Sequence, residues 1–346
     1  MLDLATLTAG DLLRIPASEP ERLFTADRTA VDRAFRILAS AWHPDRNGHA
    51  QATMVFQHVA ALRRAALERL RRGEWHEPGC LTLAARDGRT YRLHYLRRRP
   101  FELGDLHVGA GSAAWIVERA HDDLVDAALR RIGDFRFADD TMRGAVSRYL
   151  PAVTRTVDAA ERRAVEVRKP ADMILLADLL QHVGGSLDAR HVAWILSELH
   201  CFACWLEWAG LTHNAIAPDT VFVSPAHHAV GVLGGWWYAT PAGARFKALP
   251  ARTLNLAPAD IIRRKTADAR VDLDLIRALG REMLGRATDA AAARGSRVPA
   301  ALDAWLDLAA NGSARADYAL WQRVLTDAFG ARRFTPLNVR VKDVYR

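Results

Sequence analysis

The chain has 346 residues, 50% of them hydrophobic and 25% charged, the proportions of a folded globular protein. Disorder would need fewer apolar residues and a collagen-like chain far more glycine, so both are excluded, and the length allows two or three units with cores of their own. A formal charge of +8 permits contact with nucleic acid or an anionic surface without requiring it.

The N-terminal Met-Leu-Asp-Leu lacks a basic stretch ahead of an apolar core, so no signal peptide is expected. Residues 10–72 read as helical. From Thr29 to Trp42 the apolar Val31, Ala34, Phe35, Leu38 and Trp42 recur at helical spacing. A second helix is expected from about Ala50 to Arg72, with Val55, Val59, Leu62 and Ala66 as its apolar stripe. Between them lies His43-Pro44-Asp45-Arg46-Asn47-Gly48. Pro44 disfavours helix at His43 and Asn-Gly signals a turn, so the segment reads as a helical hairpin over residues 1–73. Residues 74–80 read as a linker.

From Leu81 the period changes. Two alternating runs flank Asp87-Gly88 and read as a β-hairpin. Strands are expected near 106–111, 113–119, 152–157 and 163–167, with a helix over 122–132, giving a β-rich region over residues 81–170. From Met173 the chain reads as mainly helical. Asp188 is the expected cap of a long helix reaching Trp208. The most apolar long stretch, His191 to Leu211, contains Glu198, His200 and Glu207. It reads as a buried helix rather than a membrane span. Further helices are expected near 271–285, 299–309 and 316–329. The only low-complexity tract is Asp289-Ala-Ala-Ala-Ala-Arg.

Two resemblances follow from these residues. His43-Pro44-Asp45 at the tip of a predicted hairpin resembles a J-domain, the DnaJ-type cochaperone module. Ala34-Phe35-Arg36 sits where that family has Ala-Tyr-Arg, and Phe56 matches a Phe of its next helix. The resemblance implies a DnaK-class chaperone ATPase as partner. His43 and Asp45 would contact it, Pro44 would set the loop, and Arg33 and Arg36 would steer toward an acidic surface. The first helix is short, and the interval from Ile15 to Ala34 is longer than the family's. The plain structural alternative is that the tripeptide only turns the chain.

Residues 80–335 resemble a protein kinase, with a small β-rich lobe and a large helical lobe over residues 171–346. Gly210-Leu-Thr-His213-Asn-Ala-Ile-Ala-Pro218-Asp-Thr-Val resembles the catalytic loop, and Val232-Leu-Gly-Gly-Trp236-Trp237 falls where Asp-Phe-Gly belongs. Ala257-Pro258-Ala259 stands for Ala-Pro-Glu, and Asp272 or Asp274 for the aspartate of the central helix. The nearest match is to bacterial and phage kinase-like proteins with an N-terminal J-domain. Phosphoryl transfer in this family requires an Asp to orient the hydroxyl, an Asn and an Asp to hold Mg²⁺, and a Lys on the phosphates. Here those positions carry Ala215, Thr220 and Gly234 or Gly235, and Ala217 replaces the loop Lys. The chain has only four lysines, Lys169, Lys247, Lys265 and Lys342, so none precedes residue 169. The resemblance therefore implies a pseudokinase with no cofactor and no metal. Gly109 and Gly111, in Val108-Gly-Ala-Gly, form a partial glycine-rich loop or merely a tight turn. Trp236 and Trp237 read as core, or as an indole filling the vacated nucleotide cleft.

Weaker signals are Cys201 and Cys204, one helical turn apart but too few for a zinc site, and His227-His228 in a strand-to-strand turn. Cys80 is the only other cysteine. Three cysteines make no disulfide framework and fit a reducing, cytoplasmic location. Arginine clusters at 97–99, 162–163, 263–264 and 332–333 read as solvated surface or as a phosphate-backbone footprint. The expected architecture is α+β, a J-like hairpin followed by a bilobal kinase-like body. The expected role is an adaptor that recruits and stimulates a DnaK-class ATPase while the body binds a client protein, away from membranes. The alternatives are an atypical ATP-binding transferase and a basic nucleic-acid scaffold.

Overall fold

The computed structural model describes residues 4–77, 79–286, 298–331 and 333–345. The tract Asp289 to Arg294 and residue Arg332 therefore lie outside the described residues. The protein is mixed α+β, and the chain divides into two compact units, Met1–Arg99 with Thr156–Ala164, and Pro100–Arg155 with Val165–Arg346.

In the first unit, α1 (Ala9–Leu13) opens on a capping box, in which Thr8 and Asp11 satisfy each other's backbone N–H. Helix α2 (Arg28–Ala41) starts at Asp27, whose carboxylate accepts from Thr29 N at 2.9 Å. Helix α3 (Ala52–Arg71) buries Val55, Val59, Leu62 and Ala66 on one stripe, as the spacing requires. These side chains share a core with Leu12, Leu23, Phe24, Val31 and Leu38. Each such burial stabilises by about 1.5–3 kcal/mol.

The next residues depart from expectation. Residues 74–77 are strand β1 (Glu74–Glu77), not linker, paired antiparallel with β2 (Cys80–Ala84), which pairs with β3 (Thr90–His94) around Asp87-Gly88. Trp75 completes the helical core, and buried Glu74 meets Arg162 at 3.1 Å. Residues 156–164 belong to this unit through Arg162 and through Arg71, which holds Glu161 at 2.7 Å.

The remaining strands of the β-rich region are β4 (Arg97–Phe101), β5 (Gly104–Val108), β6 (Ser112–Glu118), β7 (Val153–Asp158) and β8 (Arg162–Arg168), in the sheet order β4-β5-β6-β8-β7. Arg97 to Arg99, read as a basic cluster, are strand residues. Between β6 and β7 lie α4 (Asp122–Gly133) and the short α5 (Asp140–Val146). The central strand β6 buries Ala113 through Val117 without interruption.

The chain then forms β9 (Ile174–Leu175), α6 (Leu176–His182) and α7 (Ala189–Ala209). Asp188 caps α7 as expected, accepting from Arg190 N at 2.8 Å. The helix ends on Gly210 in the left-handed conformation, φ +70°. It is apolar around most of its circumference and buried accordingly. Short strands β10 (Leu211–Thr212), β11 (Val221–Ser224), β12 (Ala229–Val232) and β13 (Thr240–Pro241) follow. Helices α8 (Ala251–Leu256), α9 (Ala259–Arg264), α10 (Ala269–Met283), α11 (Ala300–Leu306), α12 (Ala314–Phe329) and α13 (Val341–Val344) complete the unit. Among the described residues, no helix is long and apolar enough to cross a membrane.

Candidate functional sites

Two places carry the residues singled out above. The first is the loop from α2 to α3. Its path is set by its own hydrogen bonds. Asn47 Nδ2 donates to Ala41 O at 2.8 Å, and the Arg46 and Asn47 amides donate to His43 O. His43 meets the Phe56 ring edge-on at 5.6 Å, and its Nδ1 accepts from Asp45 N at 3.3 Å. Pro44 and Asp45 are exposed, the Asp45 side chain to 87%. Arg33 and Arg36 are exposed on α2. The one acid inside that helix, Asp32, is engaged by Arg63 at 2.7 Å. The outer face of α2 therefore presents cations whose field is not cancelled by their own helix.

The second is the segment 213–220 with the turn 234–237. His213 is fully buried, and its Nε2 faces Gly234 O at 3.0 Å. A carbonyl can only accept, so Nε2 carries the proton and Nδ1 does not. Burial pushes the imidazole pKa down to about 3. Asp272 on α10 receives His213 N and Asn214 N, each at 2.7 Å. Burial pushes its carboxyl up to about 7, against the two N–H bonds, which favour the carboxylate. Those two bonds hold Asn214 at φ +63° and fix where the segment starts. Of the two aspartates considered from sequence, Asp272 makes this contact. Asp274 accepts from Ala310 N instead.

Ala215, Ala217, Thr220, Gly234 and Gly235 converge here. Thr220 Oγ1 donates to Ala215 O at 2.7 Å and accepts from Ala217 N at 3.0 Å. Gly234 N and Leu233 N donate to Thr220 O. A Cβ on Gly235 would lie 2.9 Å from both Ala215 Cβ and His213 Cε1. The Thr220 hydroxyl is thus committed to the backbone, and Ala215, Ala217, Gly234 and Gly235 offer only methyl groups and hydrogens.

Trp236 and Trp237 are 1% and 7% exposed, so both are core. Sequence reasoning missed their partner, Trp115 at the centre of β6. Its ring meets Trp237 at 5.8 Å, and Phe101 covers the other side of Trp237 at 5.4 Å. Trp115 also closes on Gly234, where a Cβ would stand 2.8 Å from its Cζ2. What remains among Trp115, Leu129, Val165, Leu233, Trp236 and Trp237 is a void of about 10 Å³, at most the space of one water. The available signal was a large aromatic inside the run Ala113-Ala-Trp-Ile-Val, flanked by small residues.

Gly109 and Gly111 are not part of this site. They form the turn between β5 and β6, where Gly109 N is used by Ser112 O at 2.8 Å. His228, in the strand-to-strand turn, is partly buried. It lies between the rings of Trp194 and Phe334, at 4.6 and 4.2 Å. Several clustered arginines are paired, Arg162 with Glu74, Arg163 with Asp158 and Arg264 with Asp260. Burial pushes the Cys204 thiol up to about 11, the opposite of an activated nucleophile or metal ligand.

No protein-family model matches the chain, nor does any curated protein sequence.

Proposed function

We propose that the chain is an adaptor of the J-domain type, whose loop His43-Pro44-Asp45 recruits a DnaK-class chaperone ATPase and stimulates its ATP hydrolysis. The observation that carries this reading is the exposed His-Pro-Asp turn between two helices that share a core, beside the exposed Arg33 and Arg36. The test is ATP turnover by a DnaK-class chaperone with the wild-type chain and with His43→Gln. The wild type accelerates turnover and the variant does not, while helical content is unchanged. Equal rates from both would remove the proposal.

The remainder is read as a kinase-like body that transfers no phosphate and serves to hold a client protein. Support comes from residues 213–235, where Ala215, Ala217, Gly234 and Gly235 bring no oxygen ligand on their side chains and the Thr220 hydroxyl is committed to the backbone, and from the three indoles packed beside them. Magnesium with phosphate needs oxygen ligands and room. Phosphate release from Mg-ATP by the purified chain is the check, and turnover above background would count against a non-catalytic body.

A further inference from the structure

A cleft of about 520 Å³ lies where α4 and the residues after it face the end of α7 and the short pair β10–β13. Its lining brings Arg130 and Arg131 from α4, Arg136 from the following loop and Lys247 from beyond β13 together, with Asp134 as the single acid. Some other arginines of the same unit face carboxylates, Arg252 with Glu282, Arg277 with Asp317 and Arg286 with Asp303 among them. Among the described residues, Arg130, Arg131 and Arg136 have no such partner. Lys247 reaches Asp123 only at 3.8 Å, with both side chains exposed.

The cost of leaving the cluster without an anion falls on Arg131. Arg131 is half-buried, and both burial and neighbouring Arg130 disfavour its charge. Two arginines in the last turn of α4 would suit the helix's negative end. That reason does not reach Arg136 or Lys247, which come from separate segments and converge on the same space. The volume is that of a small-molecule site, whereas a nucleic-acid footprint would run on as a stripe. Guanidinium groups match phosphate oxygens with paired N–H donors.

We propose that this cleft binds a compact oligophosphate anion of the size of inorganic triphosphate, gripped by Arg130, Arg131 and Arg136 with Lys247 at its mouth. The proposal is independent of the chaperone reading.

The experiment is calorimetric titration of the full chain with inorganic triphosphate at low salt. Saturable one-to-one binding is expected. Arg131→Gln with Arg136→Gln weakens it roughly a hundredfold, because each lost charge-assisted contact is worth about tenfold. Arg315→Gln with Arg323→Gln removes the same charge from exposed positions on α12 and leaves affinity unchanged. Melting curves establish that all variants fold. A parallel titration with ATP separates the sources, since equal affinity assigns recognition to the phosphates. Much tighter ATP binding would overturn that assignment. Absence of saturable heat, or equal loss from both double variants, overturns the site itself.

Discussion

A side chain at position 234 or 235 would have to share space already taken. At Gly235 the backbone stands at φ +82°, and a Cβ would press on Ala215 and His213. Strain in the left-handed region and overpacking together predict that Gly235→Ala costs about 2–4 kcal/mol, read as a lowered urea midpoint. Gly234→Asp, which returns a carboxylate to the metal position of the proposed kinase-like site, meets the Trp115 ring instead. It is expected to lower stability and to leave the chain without phosphate release from Mg-ATP. Lys169 makes a different residue-scale prediction. Its ammonium is 1% exposed, donates to Pro170 O and Met173 O, and is pushed by burial from 10.5 down to about 8. Between those values the unfolded chain holds the proton and the folded chain releases it. The stability it contributes is therefore complete above pH 10.5 and lost as pH falls through 8. Compared with Lys169→Met, the wild type should gain about 1–2 kcal/mol between pH 7.5 and 9.5. Taking the difference cancels Cys204 and the tyrosines, which titrate equally in both proteins. A constant gap across that range would show that Lys169 is not held in this way.

Helices α7, α10 and α12 are tied by a charge cluster at their common core. Arg277 and Asp317 are each 1% exposed, and Asp317 also faces His200 Nε2 at 3.1 Å. Removing one charge strands the other, so Asp317→Leu should cost about 3–5 kcal/mol. Arg277→Met combined with Asp317→Leu should recover most of that loss in chemical denaturation, because neither ion is then buried alone. No recovery would mean that the cluster stabilises by more than mutual compensation. Nothing in the local spacing of α10 or α12 announced this cluster, since each residue reads as an ordinary helix-face charge. Helices α2, α3, α4 and α7 were legible because the pattern that marks each lies within one segment, and α7 adds its Asp188 cap. The short α5, α6, α8 and α9 carry too few turns to show a period. Strand β4 was hidden for another reason. Arg97-Arg-Arg-Pro reads as solvated charge, and only pairing with β5 makes it a strand. That residues 213–220 and 234–237 belong together was legible only through the spacing of the proposed kinase-like loop. What fills the space beside them was not, because Trp115 reaches Gly234 from more than a hundred residues away.

At the scale of the whole molecule, the boundary near residue 73 suggested by the hairpin pattern falls inside a core. Trp75 is 6% exposed and belongs to the cluster built by α1, α2 and α3, and β1 sits on β2 through four residue pairs from Glu74 to Glu77. Gly73 and Gly79 punctuate the sequence there as a linker would. The strand between them is specified from elsewhere, by the apolar slot for Trp75 and by Arg162, which meets Glu74 across nearly ninety residues of chain. A fragment of residues 1–73 loses that indole and exposes the apolar faces it covered. Burying a large side chain is worth about 2 kcal/mol, and in a unit of this size each kcal/mol moves the melting temperature by about 4–8 °C. Residues 1–99 carrying Glu74→Gln, which leaves no buried charge waiting for Arg162, should therefore melt roughly 10 °C above residues 1–73, followed by circular dichroism of the two fragments at equal concentration. Equal melting temperatures would mean that the three helices hold together without the strand. In that case Trp75 and Glu74 would be guests on a finished core, and the fold of the His43-Pro44-Asp45 loop would be independent of everything after residue 73.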